Sequence, residues 1–423
     1  MKIRTAITAI LLLLILAVAL VFTPFFLPAR MQDFAYTELT YTLIAKRLTE
    51  NAKNEEQKVL MLYDWIEFNL TTINDAKLIA GKRFSEMLLG VAWCDHQGFV
   101  LLEFLNKLKM TGRLRDVQAH TTTEVLVNGD WCIFDPFLDF VPYNFEKGKF
   151  ATIEDVRKMD KQTIYSQKLE ASVGMNGLIG TRELIKERFK PNDIRWKNGK
   201  SPCYIDYIVK DMPGPLLKTI VKMGYWLFGD WYVGYWLFGD WYAKIFQEKW
   251  LKRHDGQKDA GAKRFKNYGK NFNANDAAYN AFFKARNYHL HFRYDKALVY
   301  YSIVIKDYPK SRWAIEAEYF KALSLFEAGR YKECITFIAS TGVLEEKNQR
   351  YSQIAHVAGL CHEALGEKEK AIKNYEASLS RSDQSYTAAK DLFNLRNGLK
   401  CGEMRSSEIP APIRCSAQYA RKW

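Results

Sequence analysis

One spacing recurs three times towards the C-terminus and limits what this chain can fold into. Ala297, Cys334 and Ala371 stand 37 residues apart, in the settings RYDKALVYY, RYKECITFI and EKEKAIKNY. Twelve residues before each lies another small residue, Ala285, Ala322 and Gly359. A fixed period in this range signals a stack of supersecondary units. Small residues at two matched points let the paired helices of each unit approach closely. Gly329 and Gly366 mark the turns between helices in the second and third copies, and Pro309 stops the second helix of the first. One unit cannot bury its apolar face alone, and about three suffice for a stable stack. Residues 273–395 are therefore predicted to be an all-α repeat domain.

The chemistry lies elsewhere, between Gly90 and Pro136, in GVAWCDHQGFVLLEFLNKLKMTGRLRDVQAHTTTEVLVNGDWCIFDP. Asn128-Gly129 separates TTTEVLV from DWCIF, two runs rich in β-formers. A two-residue Asn-Gly loop is the strongest short hairpin signal, because a type I′ turn needs positive φ at both positions. It predicts that Val127 faces Asp130 and Asp135 faces Thr122. His120 then lies on the face of Thr122, diagonal to Asp135. Diagonal neighbours are about 7–8 Å apart at Cα, within reach of a carboxylate and an imidazole. A loop one residue longer would break this relation. Residues 95–110 place Phe99, Leu102, Phe104, Leu105 and Leu108 near helical spacing, so Cys94 is predicted at a helix start. Unpaired N–H groups and the helix dipole there favour a thiolate and could hold an oxyanion.

These residues resemble the transglutaminase-like superfamily, relatives of papain-like cysteine proteases. Cys94 matches the nucleophile and Gly112 the turn after its helix. Arg115 and Val117 match the following strand, and His120, Glu124-Val125, Trp131 and Asp135-Pro136 the hairpin. The resemblance covers roughly residues 40–150. It implies a catalytic triad of Cys94, His120 and Asp135 that acts on an amide or ester through a thioester. Unlike calcium-dependent relatives, the chain offers no acidic ligand cluster, so no metal or other cofactor is expected. The repeats resemble the tetratricopeptide repeat, with Tyr288 at the aromatic site of the first helix and Tyr301 and Tyr375 in the second. Their period exceeds the usual one of about 34 residues. That resemblance implies a protein partner bound along the array. Two other readings compete. One is a zinc site of Cys94, His96, His120 and Cys132. Its Cys-x-His spacing is uncommon, and Cys132 falls on the strand face opposite Asp135. The other is a non-catalytic envelope scaffold, since fold does not imply activity. His289 and His291, two apart on a helix, do not read as a metal pair.

The 423 residues suit two or three domains. Residues 5–29 carry no charge and exceed the roughly 20 needed to cross a bilayer. Lys2 and Arg4 precede them, which keeps the N-terminus cytoplasmic and places the bulk outside, in a periplasm for a Gram-negative cell. A cleaved signal peptide is the rival, with Ala17-Val18-Ala19 as its site. The net charge of +14 comes without a nucleic-acid fingerprint, so an anionic membrane surface is the expected counterpart. Residues 33–150 form the expected catalytic domain, and 151–202 a mixed extension. Residues 203–272 are an aromatic and basic connector. There GYWLFGDWYV at Gly224 is repeated at Gly234, followed by nine Lys or Arg against three Asp or Glu in 241–270. The duplicate reads either as hairpins turning at Gly-Asp or as an interfacial helix running into AKIFQEKWLKR. Residues 224–253 are the part expected at the membrane surface. Residues 396–423 are a tail, with a disulfide between Cys401 and Cys415 open in an oxidising compartment. The fold class expected is α+β: an N-terminal transmembrane helix, a papain-like transglutaminase core and an all-α repeat domain.

Overall fold

The computed structural model describes residues 29–70, 87–90, 92, 94–117, 120–137, 140–144, 147–158, 233–255, 277–342, 344 and 350–380, with isolated positions 11, 215, 388, 391–392, 395–396 and 398. In chain order the elements are α1 (Ala29–Thr49), α2 (Glu55–Asn69), α3 (Cys94–Lys107), β1 (Gly112–Val117), β2 (His120–Val127), β3 (Asp130–Phe134), β4 (Tyr143–Asn144), β5 (Lys149–Phe150), α4 (Ile153–Lys158), α5 (Val233–Asp255), α6 (Ala277–Leu290), α7 (Tyr294–Asp307), α8 (Arg312–Glu327), α9 (Tyr331–Thr341), α10 (Tyr351–Ala364) and α11 (Lys368–Leu379). The protein is mostly helical with small antiparallel sheets. Among the described residues no helix is long and apolar enough to cross a membrane. The apolar run 5–29 lies outside them apart from Leu11 and Ala29, as do Cys401 and Cys415. The chain forms two compact units, Met1–Leu43 with Ser201–Arg264, and Ile44–Lys200 with Phe265–Trp423.

In the first unit the second copy of the aromatic duplicate is helical, within α5. The hairpin reading at Gly239-Asp240 is thereby corrected. Tyr242, Phe246 and Trp250 recur at helical spacing and are all buried. Tyr36 of α1 stacks on Trp250 at 4.1 Å between ring centroids, and the indole N–H of Trp250 donates to Asp33 at 2.9 Å. Arg253 also donates to Asp33 and to Gln32. The opposite side of α5 leaves Trp241 and Ile245 exposed beside Lys244, Lys249 and Lys252. The first copy lies outside the described residues apart from Val233.

In the second unit α2 starts at Asn54, whose side chain accepts from the Gln57 N–H, while Gln57 accepts from Lys53. This reciprocal arrangement satisfies N–H groups that a helix start leaves open. Trp65 of α2 meets Phe104 of α3 edge to face at 5.4 Å, both buried. The turn between β2 and β3 has φ of 51° at Asn128 and 87° at Gly129, and Val127 pairs with Asp130, as the Asn-Gly signal requires. The sheet order is β1-β2-β3. Gly112 is not a turn residue, which corrects the sequence reading. It begins β1, and the turn after α3 is made by Lys109 with φ of 59°. Gly112 serves close packing instead: a Cβ there would lie 2.5 Å from Leu102 and 3.0 Å from Leu105.

Among the described residues the same unit holds six further helices, which pack in consecutive pairs. The pairs are α6 with α7, α8 with α9 and α10 with α11. Ala285, Ala297, Ala322, Cys334, Gly359 and Ala371 are all buried. The Cys334 thiol donates to the Ala322 carbonyl at 3.3 Å, and a Cβ on Gly359 would lie 2.5 Å from the Tyr375 ring. One turn recurs in the same frame: Arg293, Arg330 and Glu367 donate N–H groups to Tyr288, Leu325 and His362, each at 2.9 Å. Gly329 and Gly366 take φ of 72° and 78° there, while the first copy places Phe292 at 57°. First helices of neighbouring copies pack on each other, α6 on α8 and α8 on α10.

Candidate active site

Cys94 is the first residue of α3, half-buried and unbridged. His120 is the first residue of β2, with its backbone opposite Val117; its imidazole lies outside the described residues. Asp135 directly follows β3 and is fully buried. The β2–β3 register stops at Thr123 opposite Phe134, one pair short of the expected Asp135–Thr122 pair. Asp135 instead exchanges both backbone bonds with Phe140, each at 3.0 Å. The Tyr63 hydroxyl adds a third tie by donating to the Asp135 carbonyl at 3.0 Å.

The three residues belong to one end of the sheet, and the packing of α3 shows why. A Cβ on Gly98 would lie 2.7 Å from Thr123 Oγ1 and 2.9 Å from Leu114, so the helix crosses the sheet there at the closest distance glycine allows. Further along, Leu102 and Leu105 cover Gly112, whose strand partner is Val125. The helix therefore runs in the direction of β2. Four residues back along a helix is about 6 Å, and two residues back along a strand is about 6.6 Å. Stepping back from Gly98 over Thr123, the backbone of Cys94 comes level with Thr121, one residue from the start of β2. β3 runs the other way and ends at this same edge, where Asp135 leaves it.

Side chains around the hairpin explain other motif residues. Thr123 points at α3, and Glu124 at the opposite face. Glu124 is buried and accepts from Arg113 Nε at 2.7 Å and Arg115 Nη1 at 3.1 Å. The Arg113 guanidinium lies 4.0 Å over the Trp131 ring. The Arg115, Glu124 and Trp131 positions thus clamp the three strands together. Cys132 is a different kind of thiol from Cys94. It is buried and donates to the Phe150 carbonyl at 3.4 Å. Burial, followed by the charge of Asp130, pushes its pKa up to about 12, so it stays protonated at neutral pH.

Two residues beside Cys94 escaped the sequence reading. Gln97, in the same helical turn, is buried and donates to the Leu70 carbonyl at 2.8 Å, tying the turn of Cys94 to the exit of α2. Gly98 permits the helix–sheet contact. A glycine four residues after a candidate nucleophile was the available signal. Comparison with protein-family models, with curated proteins and with solved structures finds no match to this chain.

Proposed function

We propose that this chain is a transglutaminase-like thiol enzyme of papain-like fold, with Cys94 as nucleophile, His120 as general base and Asp135 as the residue that orients the base. His120 takes the Cys94 proton, and the thiolate attacks the acyl carbon of an amide or ester in a protein or peptide. The leaving amine or alcohol takes that proton from His120. Water or an amine, deprotonated by His120, then releases the thioester and restores Cys94. The observation that supports this most is the direction of α3 along β2, which puts the α3 start, the β2 start and the β3 exit towards the same end of the sheet. The reading requires no metal.

We assign the protein to the extracytoplasmic side of a membrane, tethered by residues 5–29. The exposed Trp241 and Ile245, with Lys244, Lys249 and Lys252, suit an anionic headgroup layer. A protein partner of the array belongs on the second helices, α7, α9 and α11, because the first helices hold the chain's own residues. The test is an acid quench after mixing with small acyl esters and peptide amides, with mass spectrometry of the Cys94 peptide. The expected result is an acyl adduct on Cys94 that forms far more slowly in His120→Ala. No adduct, or equal adduct in both proteins, would favour the scaffold reading.

A further inference from the structure

The residues that lead into Cys94 are held by the repeats. Met87–Gly90 ends four residues before Cys94. Arg286 of α6, fully buried, donates from Nη2 to the Met87 carbonyl at 2.9 Å and from Nε to the Leu88 carbonyl at 3.2 Å. Its guanidinium lies 3.8 Å over the Phe320 ring of α8. The same ring fills the space beside Gly90, where a Cβ would lie 2.1 Å from it, and Gly90 has φ of 71°. Only glycine meets both conditions.

A second tie reaches Cys94 from the other side. Tyr319 of α8 donates its hydroxyl to the Phe68 carbonyl at 2.6 Å. Asn69 accepts from Arg286 at 3.3 Å and donates to Glu327 at 3.2 Å, so it links the buried cation to a buried carboxylate. His289 sits between the same two charges, with Nε2 2.6 Å from Glu327 and Nδ1 3.2 Å from Arg286. Arg286 can only donate, so Nδ1 accepts and the ring is neutral, its proton on Nε2 towards Glu327. Burial lowers the pKa of His289 against the pull of Glu327, in agreement. The next residue, Leu70, receives the Gln97 bond from the turn of Cys94. Both approaches to the nucleophile therefore run through α6 and α8.

We infer that Arg286 and Phe320 are positioning residues for Cys94, and that the first two repeats are a built-in brace of the active site. The inference rests on the thiol-enzyme reading. A partner or strain that shifts α6 against α8 would move the Met87–Gly90 carbonyls and detune the thiol. Displacement of a reacting group by about 1 Å lowers rates on the order of a hundredfold.

The test uses the full chain, with Arg286→Lys and Phe320→Leu as independent variants beside wild type and His120→Ala. The second-order rate of Cys94 alkylation by iodoacetamide is measured from pH 5 to 9, well below the melting temperature of each protein, with circular dichroism to confirm folding. The expected result is a folded variant whose rate at pH 6 falls by tenfold or more and whose profile moves towards that of His120→Ala. A merely structural role would lower the melting temperature and leave the profile in place, which overturns the inference while the enzyme reading stands. If wild type and His120→Ala label alike, the enzyme reading fails and this inference with it. Should Arg286→Lys not fold, Phe320→Leu decides, since it removes the ring from Gly90 and leaves every charge in place.

Discussion

The repeat array and the sheet that carries the candidate site solve the same packing problem in opposite ways. The array uses one device three times: two buried small residues on either side of a turn with positive φ. The sheet uses several devices once each: one type I′ turn, one glycine under a threonine, one glutamate between two arginines. Redundancy makes the array tolerant and periodic. Single use makes the sheet dependent on every member. Where the array meets the exit of α2 and the Met87–Gly90 segment it buries Arg286, His289 and Glu327, and further along it buries a second charged pair, Arg350 with Glu316.

Substitutions can break that contrast in order of size. Arg286→Met leaves the Met87 and Leu88 carbonyls and the Asn69 side-chain oxygen without their buried donor. It should lower the unfolding free energy by about 3–5 kcal/mol in urea melts, more than any change at a repeat-consensus position. Gly98→Ala and Gly359→Ala sharpen the comparison, because each drives a Cβ into a neighbour, Thr123 or Tyr375. Each should lose about 1–3 kcal/mol. Gly98→Ala should in addition slow Cys94 alkylation, whereas Gly359→Ala should leave that rate alone.

Acid should act at the array end. Burial, then the charge of Arg293, pushes the pKa of His291 down to about 3, and His289 is lowered in the same direction. Their ordinary value is 6.5, so below it the unfolded chain binds protons that the folded chain refuses. Both contributions are complete above pH 6.5 and fall in acid; that of His291 is lost as pH falls towards 3, by about 1.4 kcal/mol per pH unit. His291→Gln should flatten the stability slope near pH 5 by that amount, read from urea midpoints across pH. The smallest effect is Gly366→Ala. Its φ is 78° and nothing lies within 4 Å of the new Cβ, so the loss is conformational, about 1 kcal/mol.

The array was legible because its signal repeats. Period, small residues and two turn glycines were all in the sequence, and only Phe292, in the left-handed turn of the first copy, has no counterpart there. The hairpin was legible because Asn-Gly leaves a backbone few choices. Cys94 at a helix start followed from the apolar spacing after it. Asp135 is harder to read, since its bridge to Phe140 depends on a loop closing five residues later. Gly112 signalled a special position, but the reason, contact with Leu102 and Leu105, is tertiary. The ambiguity of GYWLFGDWY was real. Both hairpin and helix bury aromatic rings, and the partner Tyr36, about 200 residues away, decides. Arg286 carried no local signal, since its partners Met87, Leu88 and Asn69 are also about 200 residues distant.

The most direct measurement is the rate of iodoacetamide labelling of Cys94 against pH, in wild type and His120→Ala, with buried Cys132 followed by peptide mass spectrometry in the same samples. The account predicts fast labelling of Cys94 at pH 6 that is lost without His120, and a Cys132 that stays unlabelled in both. Labelling of Cys94 that is slow at pH 6 and identical in the two proteins would contradict it.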